Sequence, residues 1–152
     1  MMYQPKTYFE QGGDTFVVAA GGTLRIETGG AVQAPSGASL LSYALPFDIA
    51  DGSADATYYI PVPFAGTLTG IITAIDGAVG TANITVTASI GGVAVTDGLV
   101  TIATAGSAAG DFDSASPSAN NVVAAGSVVA LAVAGGGSGS SPRLHGSLII
   151  TR

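Results

Sequence analysis

The chain has 152 residues, of which 10 are Asp or Glu and 4 are Lys or Arg, so its formal net charge at pH 7 is −6. This acidic balance excludes nucleic acid as a partner, because binding to a phosphate backbone requires clustered cations. The chain contains no Cys, which excludes disulfides, thiolate zinc sites and thiol nucleophiles.

A chain of this length fits one domain, or one domain with a small appendage. Hydrophobic residues make up 47% of it and charged residues 9%, a balance typical of a sequence that folds. The longest apolar stretch, residues 122–134, is shorter than the roughly 20 residues that cross a bilayer. Residues 1–11 lack the basic start and apolar run of a secretory signal. We therefore expect a protein made in the cytoplasm, with no membrane partner.

Glycine pairs divide the N-terminal part of the chain into short segments. The pairs begin at Gly12, Gly21 and Gly29, and the segments between them are rich in β-forming residues with polar and apolar residues alternating. These segments predict three short strands, at residues 15–20, 23–28 and 31–34. They form either a small meander or stacked rungs, as in a β-helix or an intertwined trimeric stem. Residues 1–35 are therefore interpreted as an arm followed by short β-rungs.

The alternation fades after residue 35, where Pro, Gly, Ser and Asp supply turn chemistry without a clear period. This change predicts a linker at residues 36–56. Within it, the stretch SLLSYALPF at residues 39–47 is apolar enough to pack against another surface as an arm.

Beyond residue 57 the sequence alternates with a period of two in short blocks, the spacing of a β-sandwich or barrel. Gly91-Gly92 and Asp97-Gly98 are the strongest hairpin signals, because primed two-residue turns need positive φ angles. Two long connections remain, at residues 104–120 and 135–143. The chain is predicted to be all-β, with one sandwich domain at residues 57–152 whose strands cover residues 57–64, 66–76, 82–90, 93–96, 99–103, 121–124, 127–134 and 144–151.

Residues that could support catalysis are scarce. His145 is the only histidine, and no Gly-x-Ser-x-Gly nucleophile turn accompanies it. Two acidic groups could hold Ca²⁺ but lack the spacing of an EF-hand loop, so they are interpreted as turn residues: Asp48, Asp51 and Asp55, and Asp111 and Asp113. The chain has no Trp to serve as a platform for a glycosidase substrate. We therefore predict no enzyme, no metal and no cofactor.

Small uncharged residues dominate where many domains carry Leu and Phe, and charges are too few to cover the surface of a monomer well. Val, Ala, Thr and Ile on both faces of a sheet are what subunits need when they pack against one another. The alternative is that Ala and Thr are neutral surface residues. The composition favours a homo-oligomer.

Two stretches of the sequence resemble virion proteins. NNVVAAGSVVALAVAGG, followed by RLHGSLIIT, resembles the last strands of trimeric jelly-roll modules. VVAAGGTLRIETGGAVQAPSG is similar to the bases of head-fibre and decoration (cement) proteins of tailed bacteriophages. The resemblance covers about residues 10–35 and 57–151. It implies an antiparallel jelly-roll-like β-sandwich preceded by a short Gly-rich β-meander or β-helix-like part.

The same resemblance implies a homotrimer on the outer surface of the virion, bound to the major capsid protein and bracing neighbouring subunits. On that model the N-terminal part contacts the capsid, and the candidate contacts are Tyr3, Tyr8, Phe9 and Arg25. The alternative function is a receptor- or carbohydrate-binding tip of a tail or surface fibre. Its site would lie in apical loops, with Phe112, Asn120, Arg143 and His145 as candidates and Tyr58 and Tyr59 as further sugar contacts.

Overall fold

The computed structural model describes residues 7–9, 16–25 and 41–152, and the chain divides into two compact units, Met1–Ala38 and Ser39–Arg152. In the first unit, β1 (Thr7–Phe9) pairs antiparallel with β2 (Phe16–Val18). Part of the strand predicted at residues 15–20 is therefore confirmed, and β1 was not predicted. Residues 23–25 are not in a strand. The remainder of the strand predicted at 23–28 and all of that at 31–34 lie outside the described residues.

The second unit consists of two antiparallel sheets. The five-stranded sheet has the order β3-β11-β5-β8, with β9 also paired to β5, and the four-stranded sheet has the order β4-β10-β6-β7. The predicted all-β sandwich is confirmed. The strands are β3 (Ser42–Ile49), β4 (Ala56–Val62), β5 (Gly66–Ile75), β6 (Ile84–Ile90), β7 (Val93–Ile102), β8 (Phe112–Ala115), β9 (Val122–Val123), β10 (Ser127–Gly135) and β11 (Leu144–Thr151).

The pairing of these strands is nested. The first strand of the unit, β3, pairs with the last, β11, and the second, β4, pairs with the next to last, β10. Inside these, β5 pairs with β8 and β9, and β6 pairs with β7 through the hairpin at Gly91-Gly92. Both glycines have positive φ, 59° and 82°, as the predicted primed turn requires. Consecutive strands otherwise alternate mostly between the sheets, so most pairings join residues far apart in sequence.

The core lies between the sheets and follows the period of two. Along β6 the buried residues are Ile84, Val86 and Ala88, and facing strands contribute fully buried Ile and Leu side chains such as Ile71 and Leu148. Burial of each such large side chain stabilises the fold by roughly 1.5–3 kcal/mol before conformational entropy is counted. Most apolar residues of the alternating pattern therefore lie inside the sandwich, and its outer faces carry polar and small residues together with a few large apolar ones, such as Tyr59, Leu99 and Phe112.

The first strand of the sandwich corrects the predicted linker at 36–56. Ser42–Ile49 is an edge strand of the five-stranded sheet, paired with β11 over its whole length, and Phe47 and Ile49 are buried in the core. Pro46 interrupts the pattern in the sequence, but an edge strand tolerates Pro because one side of its backbone makes no ladder hydrogen bonds. The compact unit accordingly begins at Ser39, not at residue 57.

Asp97-Gly98 does not form the predicted hairpin. One continuous strand, β7, replaces the two strands predicted at 93–96 and 99–103, and its pairing with β6 is irregular between Thr87 and Ser89. Asp97 has φ of 56°, and a Cβ at Gly98 would lie 2.8 Å from the Cβ of Val95. The dipeptide therefore forms a bulge that bends an edge strand.

The long connection predicted at residues 104–120 contains a strand as well. Phe112–Ala115 forms β8, which pairs with β5 in the register Phe112 opposite Ala74. With only four residues, β8 is too short for alternation to distinguish it from a loop. The connection is therefore divided into two parts that lie at opposite ends of β8.

Candidate functional site

Four connections meet at one end of the sandwich, which we call the loop end: residues 50–55, 76–83, 103–111 and 136–143. Backbone hydrogen bonds hold them together. The amide of Gly52 donates to Pro142 O at 2.9 Å, and that of Thr81 donates to Gly136 O at 3.1 Å. The amide of Gly110 donates to Ile75 O at 2.7 Å. These bonds give the loop end a fixed geometry.

The aspartates of the second unit collect at the loop end. Six of the seven described aspartates lie in these connections or at the strand ends next to them: Asp48, Asp51, Asp55, Asp76, Asp111 and Asp113. Arg143 is the basic residue there. The seventh, Asp97, lies at the bulge of β7 and accepts a hydrogen bond from Ser118 Oγ. The domain is therefore electrically polar, with its negative charge at one end.

Several of these carboxylates stabilise turns. Asp51 Oδ1 accepts hydrogen bonds from the amide and hydroxyl of Ser53, at 2.9 and 2.6 Å, and the hydroxyl contact lowers the pKa of Asp51 below its usual range. Asp76 Oδ1 accepts from the Arg143 amide at 2.7 Å, and Asp55 Oδ1 accepts from the Gly135 amide at 3.1 Å. Within the described ranges no three acidic or histidine side chains are grouped closely enough to hold a metal ion.

The outer face of the four-stranded sheet has no charged residue in its central rows. Two rows of side chains cross it, Tyr59–Ala130–Ser89–Ala94 and Thr57–Ala132–Thr87–Leu99, and we call this surface the uncharged face. Tyr59 is 70% exposed and Leu99 is 51% exposed. At one corner, a groove of about 390 Å³ lies between Tyr59, Val122 and Val128. Large exposed apolar groups on a face without charge are typical of a surface that packs against a partner.

The outer face of the five-stranded sheet carries a different row. The register places Asp48, His145, Ala74 and Phe112 side by side on β3, β11, β5 and β8. Phe112 is 59% exposed. A depression of about 240 Å³, which we call the Phe112 depression, is lined by Ile72, Thr73, Ala74, Phe112, His145, Gly146 and Ser147.

An ion pair borders the Phe112 depression. Arg143 Nε donates to Asp48 Oδ1 at 2.8 Å, and His145 Nδ1 lies 2.9 Å from Asp48 Oδ2. The hydrogen bond from Arg143 lowers the pKa of Asp48 and raises that of Arg143. Because the pKa of Asp48 is lower in the folded state than in the unfolded state, the pair stabilises the fold at pH values above the ordinary titration range of Asp. That contribution is lost as the pH falls through the lowered pKa.

The structure brings together three of the four apical-loop candidates. Phe112 and His145 line one depression and Arg143 borders it, but Asn120 lies at the opposite end of β8, where its Nδ2 is 3.5 Å from Ala94 O. The apical-loop site is corrected in this respect. Tyr58 packs against the core and Tyr59 lies on the uncharged face, so neither adjoins this depression.

Asp48 completes the charged group and was not among the site residues predicted. Its spacing with Asp51 and Asp55 indicates a turn, and no local signal links it to this group, because it is 95 residues from Arg143 along the chain and only the β3–β11 register places it opposite His145. Of the capsid-contact candidates, Tyr3 lies outside the described residues and Tyr8 and Phe9 belong to β1. Arg25 is exposed.

Comparison with protein-family models, curated proteins and solved structures returned no match to this chain. The resemblance to decoration proteins therefore stays a prediction. In the part of the chain that the structure describes, no helix has the length and hydropathy needed to cross a bilayer.

Asp113 provides a test of the electrostatics at the loop end. Its pKa is raised, first by partial burial and then by the charge of Asp111, so its ionised form destabilises the fold at neutral pH and protonation relieves this as the pH falls. We expect Asp113→Asn to stabilise the protein near pH 7 by about 0.5 kcal/mol after screening by solvent. The gain should vanish near about pH 3, where the carboxyl is protonated in both states. Urea unfolding at the two pH values measures this. An unchanged or lower stability at neutral pH would contradict the assignment.

Proposed function

We propose that this protein is a structural virion component that binds the outer surface of an assembled phage capsid as a homotrimer and stabilises it. The observation that carries the proposal is the distribution of charge. A chain with a net charge of −6 repels its own copies. The two rows of the uncharged face contain no charged residue, so copies can approach across them without bringing carboxylates into contact.

The shape of the uncharged face supports the same proposal. Ala130 and Ala132, in the middle of its two rows, have small side chains that allow a neighbouring subunit to come close. Tyr59 and Leu99 protrude at opposite edges of the sheet and supply the large apolar contacts that interfaces favour. In a closed trimer this face would lie towards the threefold axis, so that each copy contacts both neighbours.

The strand order supports a jelly roll. Eight strands, counting β8 and β9 as one interrupted strand, are arranged as β3-β11-β5-β8 and β4-β10-β6-β7. We infer from the nested pairing of first with last strand that the sandwich is a jelly roll, the architecture in which two Greek keys form a double sheet. This is the fold that the resemblance to trimeric virion modules implies.

The proposed mechanism is thermodynamic. A protein that binds only the assembled shell stabilises that state by mass action. Three linked contacts in a trimer bind far more tightly than one, because the second and third contacts form within the same complex. The first unit supplies the candidate capsid contacts Tyr3, Tyr8, Phe9 and Arg25.

Co-sedimentation tests the function. Heads of the phage that encodes this chain, assembled without it, are mixed with the purified protein and pelleted, and unexpanded heads serve as the matched control. We expect saturable binding to expanded heads, a bound copy number divisible by three, and greater resistance of the heads to heat. Protein that stays in the supernatant with expanded heads at every concentration would overturn the proposal.

A further inference from the structure

The Phe112 depression combines an aromatic face with small neighbours. Phe112 projects from the outer face of the five-stranded sheet, where its cross-strand neighbour is Ala74. Gly146 has no side chain and adds only backbone to the lining. The ring of Phe47 lies beneath it, where a Cβ would overlap. The exposed Phe112 side chain therefore stands beside a shallow depression that leaves room for a flat ligand.

Polar groups stand at fixed positions around this aromatic face. His145 is oriented by its Nδ1 contact with Asp48, which leaves Nε2 as the ring nitrogen without a hydrogen bond among the described contacts. Asp48 is itself held by Arg143, and Ser147 lines the same depression. Small-ligand sites have this composition: an apolar surface for contact and a few positioned polar groups for orientation.

Charge and size restrict the ligand. Asp48 is balanced by Arg143, while Asp111 and Asp113 flank Phe112 in sequence and add negative charge to this end of the sheet. This surrounding disfavours carboxylate, sulfate and phosphate groups. A volume of about 240 Å³ is below that of most drug-sized pockets and is suited to a single ring. Hydroxyl groups, which both donate and accept, match the mixture of imidazole, hydroxyl and carboxylate at the rim.

We propose that the Phe112 depression binds one ring of a neutral sugar. The apolar C–H face of the ring lies on Phe112, and ring hydroxyls bond to His145 Nε2 and Ser147 Oγ. This site is on the opposite sheet from the uncharged face, so it remains open in the proposed trimer, and it does not depend on the capsid role. Three copies would present three sugar sites.

The single histidine supplies the assay. The imidazole signals of His145 in the full-length protein are followed by NMR during separate titrations with glucose, galactose, mannose and N-acetylglucosamine. We expect at least one of them to shift the His145 signals with a dissociation constant of about 1–50 mM, the range for a small ligand with one buried face. Glucuronate, which adds a carboxylate to the glucose ring, should bind more weakly than glucose.

Variants locate the site. Phe112→Ala removes the aromatic face from an exposed position and should weaken the effective sugar about fivefold or more, whereas Phe112→Tyr should retain binding. Val122→Ala, which removes a still more exposed apolar side chain at the far end of the same sheet, should leave binding unchanged. Absence of any His145 shift with all four sugars would overturn the proposal. Sugar binding by Phe112→Ala as tight as by the unchanged protein would also overturn it. So would a shift of the His145 signals with benzyl alcohol and with none of the sugars, because the depression would then be a site for an apolar protein side chain.

Discussion

Replacement of Ala132 by glutamate is expected to convert the proposed trimer to monomers. Ala132 lies in the middle of the uncharged face, between Thr57 and Thr87, and is exposed within one copy. In a trimer the new carboxylate would be buried without a partner, at a cost of about 3–5 kcal/mol. The dissociation constant should therefore rise more than about 100-fold. In sedimentation velocity, the variant should behave as a species of 14.7 kDa.

Two controls separate this effect from general charge repulsion and from unfolding. Ala132→Thr keeps the position uncharged with a good strand former and should remain assembled. Ala109→Glu adds the same charge at an exposed residue of the loop end and should also remain assembled. A trimer that survives Ala132→Glu with unchanged dissociation would show that the uncharged face is not the self-interface.

Replacement of Gly135 by alanine is expected to be among the most destabilising single changes in the domain. Gly135 ends β10 with φ of 99°, a backbone conformation that L residues rarely adopt. A Cβ there would overlap the carbonyl oxygen of Asn83, a backbone atom that cannot rotate away. The same carbonyl accepts the Gly136 amide at 3.0 Å. Strain and displaced hydrogen bonds together should cost about 3–5 kcal/mol.

Gly139 is the matched control for that variant. It also has a positive φ, 112°, but a Cβ there meets no atom within 4 Å. Gly139→Ala should cost about 1–2 kcal/mol, from backbone conformation alone. Urea unfolding gives the free energy of unfolding of both variants, and the difference between the two values measures the cost of the overlap with Asn83. Equal stabilities of the two variants would contradict the packing of β10 against residue 83.

Sequence patterns of period two predicted the strands that are long and bury one face. The alternation predicts a strand at residues 82–90, and Ile84–Ile90 forms β6 with the alternate residues Ile84, Val86 and Ala88 buried. The hairpin at Gly91-Gly92 was predicted because two adjacent glycines leave both φ angles free. These features are local, because residues within a few positions of one another determine them.

The features that were missed depend on contacts distant in sequence. Asp97-Gly98 has the residue types of a hairpin turn. β7 nevertheless pairs with β6 on both sides of the irregularity, so the positive φ of Asp97 forms a bulge instead of a turn. Ser42–Ile49 is a strand because β11, about a hundred residues later, pairs with it, and Pro46 is tolerated at its edge. The row Asp48–His145–Phe112 exists only through the pairing of four strands. A site assembled by nested pairing is therefore not visible in any local motif.

The mass of the wild-type protein in solution tests the self-association at the centre of this account most directly. Size-exclusion chromatography with multi-angle light scattering is run on the full chain over a series of concentrations. Three copies of 14.7 kDa give about 44 kDa, and the account predicts that mass across the series. A constant mass of 14.7 kDa at every concentration would contradict it, because the uncharged face would then remain exposed to water without a second copy to cover it.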